Sequence, residues 1–213
     1  GMPDMKLPIQ YALTYPGRIP SNFKRYDFKK PNTLSFEEPD IKTFRNLALA
    51  IEALENSNRL LPNANDVLLL SKLYAETKNP VSLQLADLLV KQGQFTKEAI
   101  LIKGLYYKSV GDYKNALLFF DEAITAAYTF VEAYREKALL HYENAEYMEA
   151  LRVLDKAVKI RAAYAEGYFL MGQCFEKLNR PEDAKESYET ALIYQADYDE
   201  ASKALASVNK LLQ

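Results

Sequence analysis

The stretch KEAILIKGLYYKSVGDYKNALLFFDEAITAAYTF, residues 97–130, decides the fold, because its pattern of small and bulky residues returns every 34 residues. A fixed period of this length indicates structural repeats that stack on one another. Four series keep this step: Gly104, Ala138, Gly172 and Ala206; Ala116, Ala150 and Ala184; Phe120, Leu154 and Tyr188; and Ala123, Ala157 and Ala191.

Within this stretch, the spacing of apolar residues predicts two amphipathic helices, 98–110 and 113–126, separated by the turn residues Gly111 and Asp112. Two helices approach closely only where side chains are small, so Gly104 is expected to mark a near contact within one unit. A single helix pair cannot bury its apolar face alone, whereas stacked pairs share a continuous core. The pattern therefore predicts an all-α protein.

The small–aromatic–alanine–bulky–alanine signature of Gly104, Tyr107, Ala116, Phe120 and Ala123 resembles the tetratricopeptide repeat (TPR) family. This resemblance implies a right-handed α-solenoid of antiparallel helix pairs over residues of about 64–213. The predicted parts are a degenerate repeat at 64–96, TPR units at 97–130, 131–164 and 165–198, and a C-terminal capping helix at 199–213.

The degenerate repeat is predicted from turn residues and leucine spacing. Asn65 and Asp66 are expected to cap a helix at 67–77, and Asn79-Pro80 is expected to end it before a second helix at 81–91.

Residues 1–40 contain six of the nine prolines and are predicted to be mostly irregular, apart from a possible short helix at 5–14. A helix and linker are expected at 41–63, with the helix at 41–56.

Three strings near the N-terminus carry a second resemblance: GMPDMKLPIQYALTYPGRIPS at 1–21, LSFEEPD at 34–40 and LALAIEALE at 47–55. Residues of about 1–55 resemble an interior fragment of deoxyxylulose-phosphate reductoisomerase, an NADPH-dependent enzyme, with a looser likeness at 63–67. By this resemblance, Pro3 and Met5 match residues of the active-site wall near the nicotinamide. The sequence contains no Gly-rich dinucleotide loop, and the carboxylates that hold the family's metal come from sequence preceding this fragment. We therefore expect no catalysis, no cofactor and no metal site in this chain.

Two isolated reactive side chains are interpreted as packing residues. His141 occupies the position that Tyr107 and Phe175 hold in neighbouring units, and Cys174 precedes that position by one residue. With no second histidine in the sequence, neither a zinc site nor a catalytic triad is predicted.

Charge and hydropathy narrow the classes of partner. The net charge is −2 with both signs interspersed, so no nucleic-acid footprint is expected. No apolar run approaches the roughly 20 residues of a membrane span. Gly1 before Met2 is typical of a residue left by tag removal. The expected location is cytoplasmic if the N-terminus is native, and periplasmic or lipid-anchored if a signal was removed.

The TPR resemblance implies a protein–protein interaction scaffold that binds a peptide or partner protein in its concave groove. Arg135 is a candidate anchor for a carboxylate, but Leu101 and Leu105 replace the lysine and asparagine of the family's chaperone clamp. Alternatives are an inactive fragment or fusion related to the reductoisomerase, and a structural or homo-oligomeric role in which residues 1–40 fill the groove. The candidate groove residues are Leu101, Leu105, Lys108, Arg135, Leu139, Tyr142, Phe169, Gln173 and Glu176.

Overall fold

The computed structural model describes residues 49–56 and 63–213, and these residues form helices joined by short turns, with no strand among them. Residues 49–56 are helical. The predictions for 1–40, for 41–48 and for the linker at 57–62 lie outside the described residues. The helices that follow are α1 (Ala64–Glu76), α2 (Val81–Lys91), α3 (Thr96–Ser109), α4 (Tyr113–Ala126), α5 (Val131–Glu143), α6 (Tyr147–Ile160), α7 (Ala165–Lys177), α8 (Pro181–Tyr194) and α9 (Asp199–Leu211).

The helices stack in chain order. Each packs on the next, and the first helices of neighbouring pairs, α1 with α3 and α3 with α5, also contact one another. Short turns force the two helices of a pair to run antiparallel, and contacts limited to neighbours are characteristic of a solenoid. The prediction of an all-α solenoid of antiparallel helix pairs is confirmed.

The turn inside each pair repeats as exactly as the helices do. Lys78, Gly111, Ala145 and Asn179 all have left-handed backbone conformations, with φ between 55° and 81°. In each turn the next amide donates to a carbonyl in the last turn of the first helix, as Asp112 N does to Tyr107 O at 2.9 Å. This bond satisfies a carbonyl that the helix end would otherwise leave unpaired.

The size of the small residue is matched to its neighbour on the second helix. A Cβ atom added at Gly104 would lie 2.5 Å from the Phe120 ring, so glycine is required opposite phenylalanine. Gly172 faces Tyr188 in the same way. In the middle unit, Ala138 and Leu154 are both buried in one cluster. Alanine is larger than the glycine of the other two units, and leucine is smaller than their phenylalanine and tyrosine.

One local prediction was wrong. Helix α1 begins at Ala64, and its cap is Asn63, whose side chain accepts a hydrogen bond from Asp66 N at 2.9 Å. Asn63 is extended while Asn65 and Asp66 are already helical, so neither can serve as the cap. Ala206 continues the small-residue series but is exposed, because no second helix follows α9 in this sequence to pack on it.

Gly104→Ala is expected to lower the free energy of unfolding by about 1–3 kcal/mol through overpacking against Phe120, despite alanine's better helix propensity. Adding Phe120→Leu should recover most of that loss, because Ala138 and Leu154 already form such a pair. Chemical denaturation of the single and double variants measures the coupling.

The variant Phe120→Leu alone measures the change in stability that comes from removing the aromatic ring. Ala206→Leu is the control, because Ala206 holds the same repeat position as Gly104 but is exposed. This substitution should change the stability little. Additive effects of the two substitutions would contradict the size-matching interpretation.

Candidate functional site

The first helices α1, α3, α5 and α7 present a surface, here called the first-helix face, that holds the candidate groove residues. Leu101 and Leu105 on α3 are half-buried against the buried cluster around Ala116 and Phe120. They therefore belong partly to the core and present only part of their surface on this face.

Charged side chains cross the face from one helix to the next. Lys108 Nζ on α3 lies 2.8 Å from Glu143 Oε1 and 3.8 Å from Glu136 Oε2, both on α5. Arg135 on α5 pairs through its guanidinium with Glu136 Oε1 and with Glu166 Oε1 on α7, each at 2.7 Å. The network thus ties three consecutive units together.

This network changes the role expected for Arg135. Burial lowers the pKa of its guanidinium, but the charges of Glu136 and Glu166 raise it by more, so that the pKa lies above its ordinary value. A ligand carboxylate approaching Arg135 would meet two carboxylates already bound there. Arg135 is therefore poorly suited to anchor an anionic peptide.

Carboxylates outnumber cations on this face. The four first helices carry eight carboxylates and seven lysines and arginines. Two of those cations, Lys103 and Lys137, pair with Asp87 and Asp121 on the second helices, which leaves five. Glu76 Oε2 is buried and has no hydrogen-bond partner among the residues that the structure describes. Burial raises the pKa of Glu76 to about 7; the charge of Lys72 opposes the rise and that of Glu136 adds to it.

A shallow apolar notch, without room for a water molecule, lies between α5, α6 and α7. Two candidate groove residues, Leu139 and Tyr142, line it. The notch residues are Ala138, Leu139, Tyr142, Leu154, Leu170 and Cys174. Burial raises the pKa of the Cys174 thiol to about 12, so the thiol stays protonated and contributes to the notch as a small apolar group.

The three remaining candidate groove residues, all on α7, differ in how far they are engaged in contacts within the fold. Phe169 packs against Tyr188 and Tyr198, with ring centroids 5.7 and 5.0 Å away, and so has a structural role. Glu176 accepts a hydrogen bond from the Tyr188 hydroxyl. Gln173 is half-buried on the same helix.

Sequence reasoning did not include Glu76, Glu136, Glu143 and Glu166 in the site. Glu143 directly follows the candidate Tyr142 on α5, so its place in the repeat was a usable signal. Glu136 had no such signal, since its role depends on cations 28 residues before it and one residue before it meeting in space.

His141 is a packing residue, as predicted. Its side chain is 12% exposed, and its Nδ1 lies 2.6 Å from Glu146 Oε2 in the turn after α5. Within residues 49–56 and 63–213, no group of three or more histidine, cysteine or acidic side chains is arranged to hold a metal ion. None of the helices in the described part of the chain is long and apolar enough to cross a membrane.

Glu76→Gln is expected to stabilise the protein at pH 8 by about 1–3 kcal/mol and to have little effect near pH 4.5. The folded-state pKa is raised from 4.5 to about 7, so the fold binds more protons than the unfolded chain between those values. Stability therefore falls as pH rises through that window and stays low above it. Thermal melts followed by circular dichroism across this range measure the effect. The exposed Glu122→Gln on α4 is the control, and parallel pH profiles for wild type and Glu76→Gln would contradict the assignment.

Family models match two separate parts of the chain. The model for the DXP reductoisomerase C-terminal domain matches residues 1–71, and the tetratricopeptide repeat model matches residues 97–129 and 165–198. The first match ends inside α1, beyond the likeness expected at 1–55, and includes the looser one at 63–67.

Curated relatives match the first part. The chain is 58% identical over 60 residues to 1-deoxy-D-xylulose 5-phosphate reductoisomerase of Phocaeicola vulgatus, covering 28% of this chain and 16% of that enzyme. The enzyme of Protochlamydia amoebophila is 43% identical over 103 residues, covering 46% of this chain and 27% of the enzyme. The chain thus spans about a quarter or less of the length of these relatives.

Solved structures match the second part at identities that show the fold alone. A thermophilic TPR protein of Thermus thermophilus superposes with a TM-score of 0.63 at 15% identity, covering 81% of this chain and 94% of that one. MamA gives a TM-score of 0.56 at 19% identity, covering 77% and 99%. The first TPR domain of Spaghetti, bound to the HSP90 peptide SRMEEVD, gives 0.51 at 22% identity, covering 55% and 92%. The chain therefore carries tetratricopeptide repeats in an all-α solenoid, together with an N-terminal segment similar to the C-terminal domain of DXP reductoisomerase.

Proposed function

We propose that this protein is an interaction scaffold that holds a peptide or partner protein on the first-helix face. The observation that carries the proposal is the surplus of carboxylates along the first helices of the solenoid. A surface with a surplus of one charge attracts partners of the opposite charge. The TPR fold supports the same class of function, because stacked first helices form an extended surface.

The charges on the face favour a cationic ligand. Lys108 and Arg135 are already paired with carboxylates of this chain, whereas Glu76 Oε2 has no hydrogen-bond partner within residues 49–56 and 63–213. The peptide in the Spaghetti complex, SRMEEVD, is rich in acidic residues. The present face has the opposite preference, in agreement with the absence of the family's chaperone-clamp residues at Leu101 and Leu105.

A substitution that tests this surface must leave the fold intact. Phe169 contacts two aromatic rings, and Arg135 joins two units, so truncating either would disturb packing as well as binding. Gln173 lies on α7 directly before the notch residue Cys174, and has no such packing role among the aromatic contacts or ion pairs of the described residues.

Gln173→Arg is expected to weaken ligand binding at least about tenfold, because it places a bulky cation on a surface that selects cations. Peptides selected on the full chain from a random displayed library supply the ligands, and fluorescence anisotropy measures their affinities.

Gln84→Arg on the exposed surface of α2 is the matched control and should bind the peptides as wild type does. Unchanged melting curves for both variants would exclude unfolding as the cause. Selected peptides that bind Gln173→Arg and wild type equally would remove the first-helix face from consideration.

A second candidate function rests on the match of residues 1–71 to the reductoisomerase domain. Since the chain spans about a quarter or less of those enzymes, we propose that it has no reductoisomerase activity alone. With NADPH, a divalent metal and 1-deoxy-D-xylulose 5-phosphate, the expected outcome is no NADPH oxidation above the protein-free rate. Turnover proportional to protein concentration would establish the enzyme instead.

A further inference from the structure

We propose that the basic, aromatic segment 18–30 of this chain docks on its own first-helix face and competes with external ligands. The inference rests on the proposed binding function of that face and names its resident occupant. Its sequence is RIPSNFKRYDFKK.

Charge is the first argument. Residues 1–48 carry eight lysines and arginines against five carboxylates, a net charge of +3, which leaves −5 for residues 49–213 of a chain whose total is −2. The positive charge is concentrated in 18–30, where five cations face a single carboxylate, Asp27. The first-helix face carries the opposite surplus, so the two parts attract one another within the same molecule.

The second argument is that both the segment and the face carry apolar side chains among their charges. The segment interleaves Phe23, Tyr26 and Phe28 with its cations. Leu139 and Leu170 are partly exposed on α5 and α7, and Glu136, Glu143 and Glu176 occupy the same helices. An aromatic side chain that packs on these leucines would bring neighbouring lysines within reach of the carboxylates.

Reach is the third argument. The helix at 49–56 is held on α1 by a hydrogen bond from the Tyr74 hydroxyl to Glu55, so the connection to 18–30 starts beside α1. Eighteen residues, 31–48, separate the segment from that helix. Extended at about 3.3–3.6 Å per residue, they span up to about 60 Å. Packed helices lie about 8–10 Å apart, so the path from α1 to α7 is no longer than that span.

Competition measures this docking. A fluorescent peptide of sequence RIPSNFKRYDFKK is titrated with the full wild-type chain and with the triple variant Lys24→Glu, Lys29→Glu and Lys30→Glu. A tether gives an effective concentration on the order of 1 mM, so even a weak resident segment occupies most of the face. We expect the triple variant to bind the peptide about tenfold more tightly, as for a face that is about 90% occupied in the wild type.

The matched control reverses three exposed lysines elsewhere, Lys114→Glu, Lys156→Glu and Lys203→Glu. It gives the protein the same net charge, so an equal gain in affinity for both triple variants would overturn the proposal by showing a nonspecific effect. Equal affinity of wild type and the segment variant would also overturn it, while leaving the binding face intact. No peptide binding by any form, together with no library peptide sensitive to Gln173→Arg, would overturn the proposed function as well.

Zero-length carbodiimide cross-linking of the wild type locates the contact. Amide bonds from Lys24, Lys29 or Lys30 to Glu76, Glu136 or Glu143 are expected in the monomer, and 1 M salt should suppress them because screening weakens charge attraction. The same cross-links found only in a covalent dimer would overturn docking within one molecule. Their complete absence, with other lysine–carboxylate links present, would overturn docking on this face.

Discussion

The close approach of each helix pair, set by a small residue facing a bulky one, is the constraint on which the rest of the structure depends. Phe120 lies so near Gly104 that no side chain fits between them, and Tyr188 lies against Gly172 in the same way. Because the small and bulky residues recur at the same positions of each unit, successive pairs stack in register. This register brings Arg135 beside Glu166, which is 31 residues away in sequence. The charged face is therefore a consequence of packing in the core.

The same register explains why the face is acidic although the chain as a whole is nearly neutral. Lys108 and Arg135 point along the array and pair with the next unit, so their charges hold units together. Within the described part of the chain, the buried Oε2 of Glu76 has no hydrogen-bond partner, and residues 1–48 carry a net positive charge. Selectivity for cations then follows from which charges the fold uses internally. A TPR array with the same composition but another register would present a different surface.

Sequence similarity divides the chain between two families, but the core does not follow that division. The match to the reductoisomerase domain ends within α1, whereas Val67 of α1 shares a buried cluster with Ala86 of α2 and Ala99 of α3. The left-handed turn at Lys78 lies 33 residues before Gly111, close to the repeat step. Helices α1 and α2 therefore belong to the array as a further helix pair. Shape and burial, more than sequence ancestry, decide which elements join a solenoid.

The sequence by itself determined the repeat, the fold class and the packing role of residues such as His141 and Cys174, because period and residue size are properties that a linear pattern records. It also predicted helix α2 at 81–91, where Pro80 and leucine spacing leave little choice. It misplaced the cap of α1, because Asn63, Asn65 and Asp66 are equally good capping types and only backbone conformation separates them. Only the tertiary structure decided the chemistry of the face. Whether Arg135 is available to a ligand, and whether Glu76 holds its proton near neutral pH, depends on burial and on charges contributed by other helices.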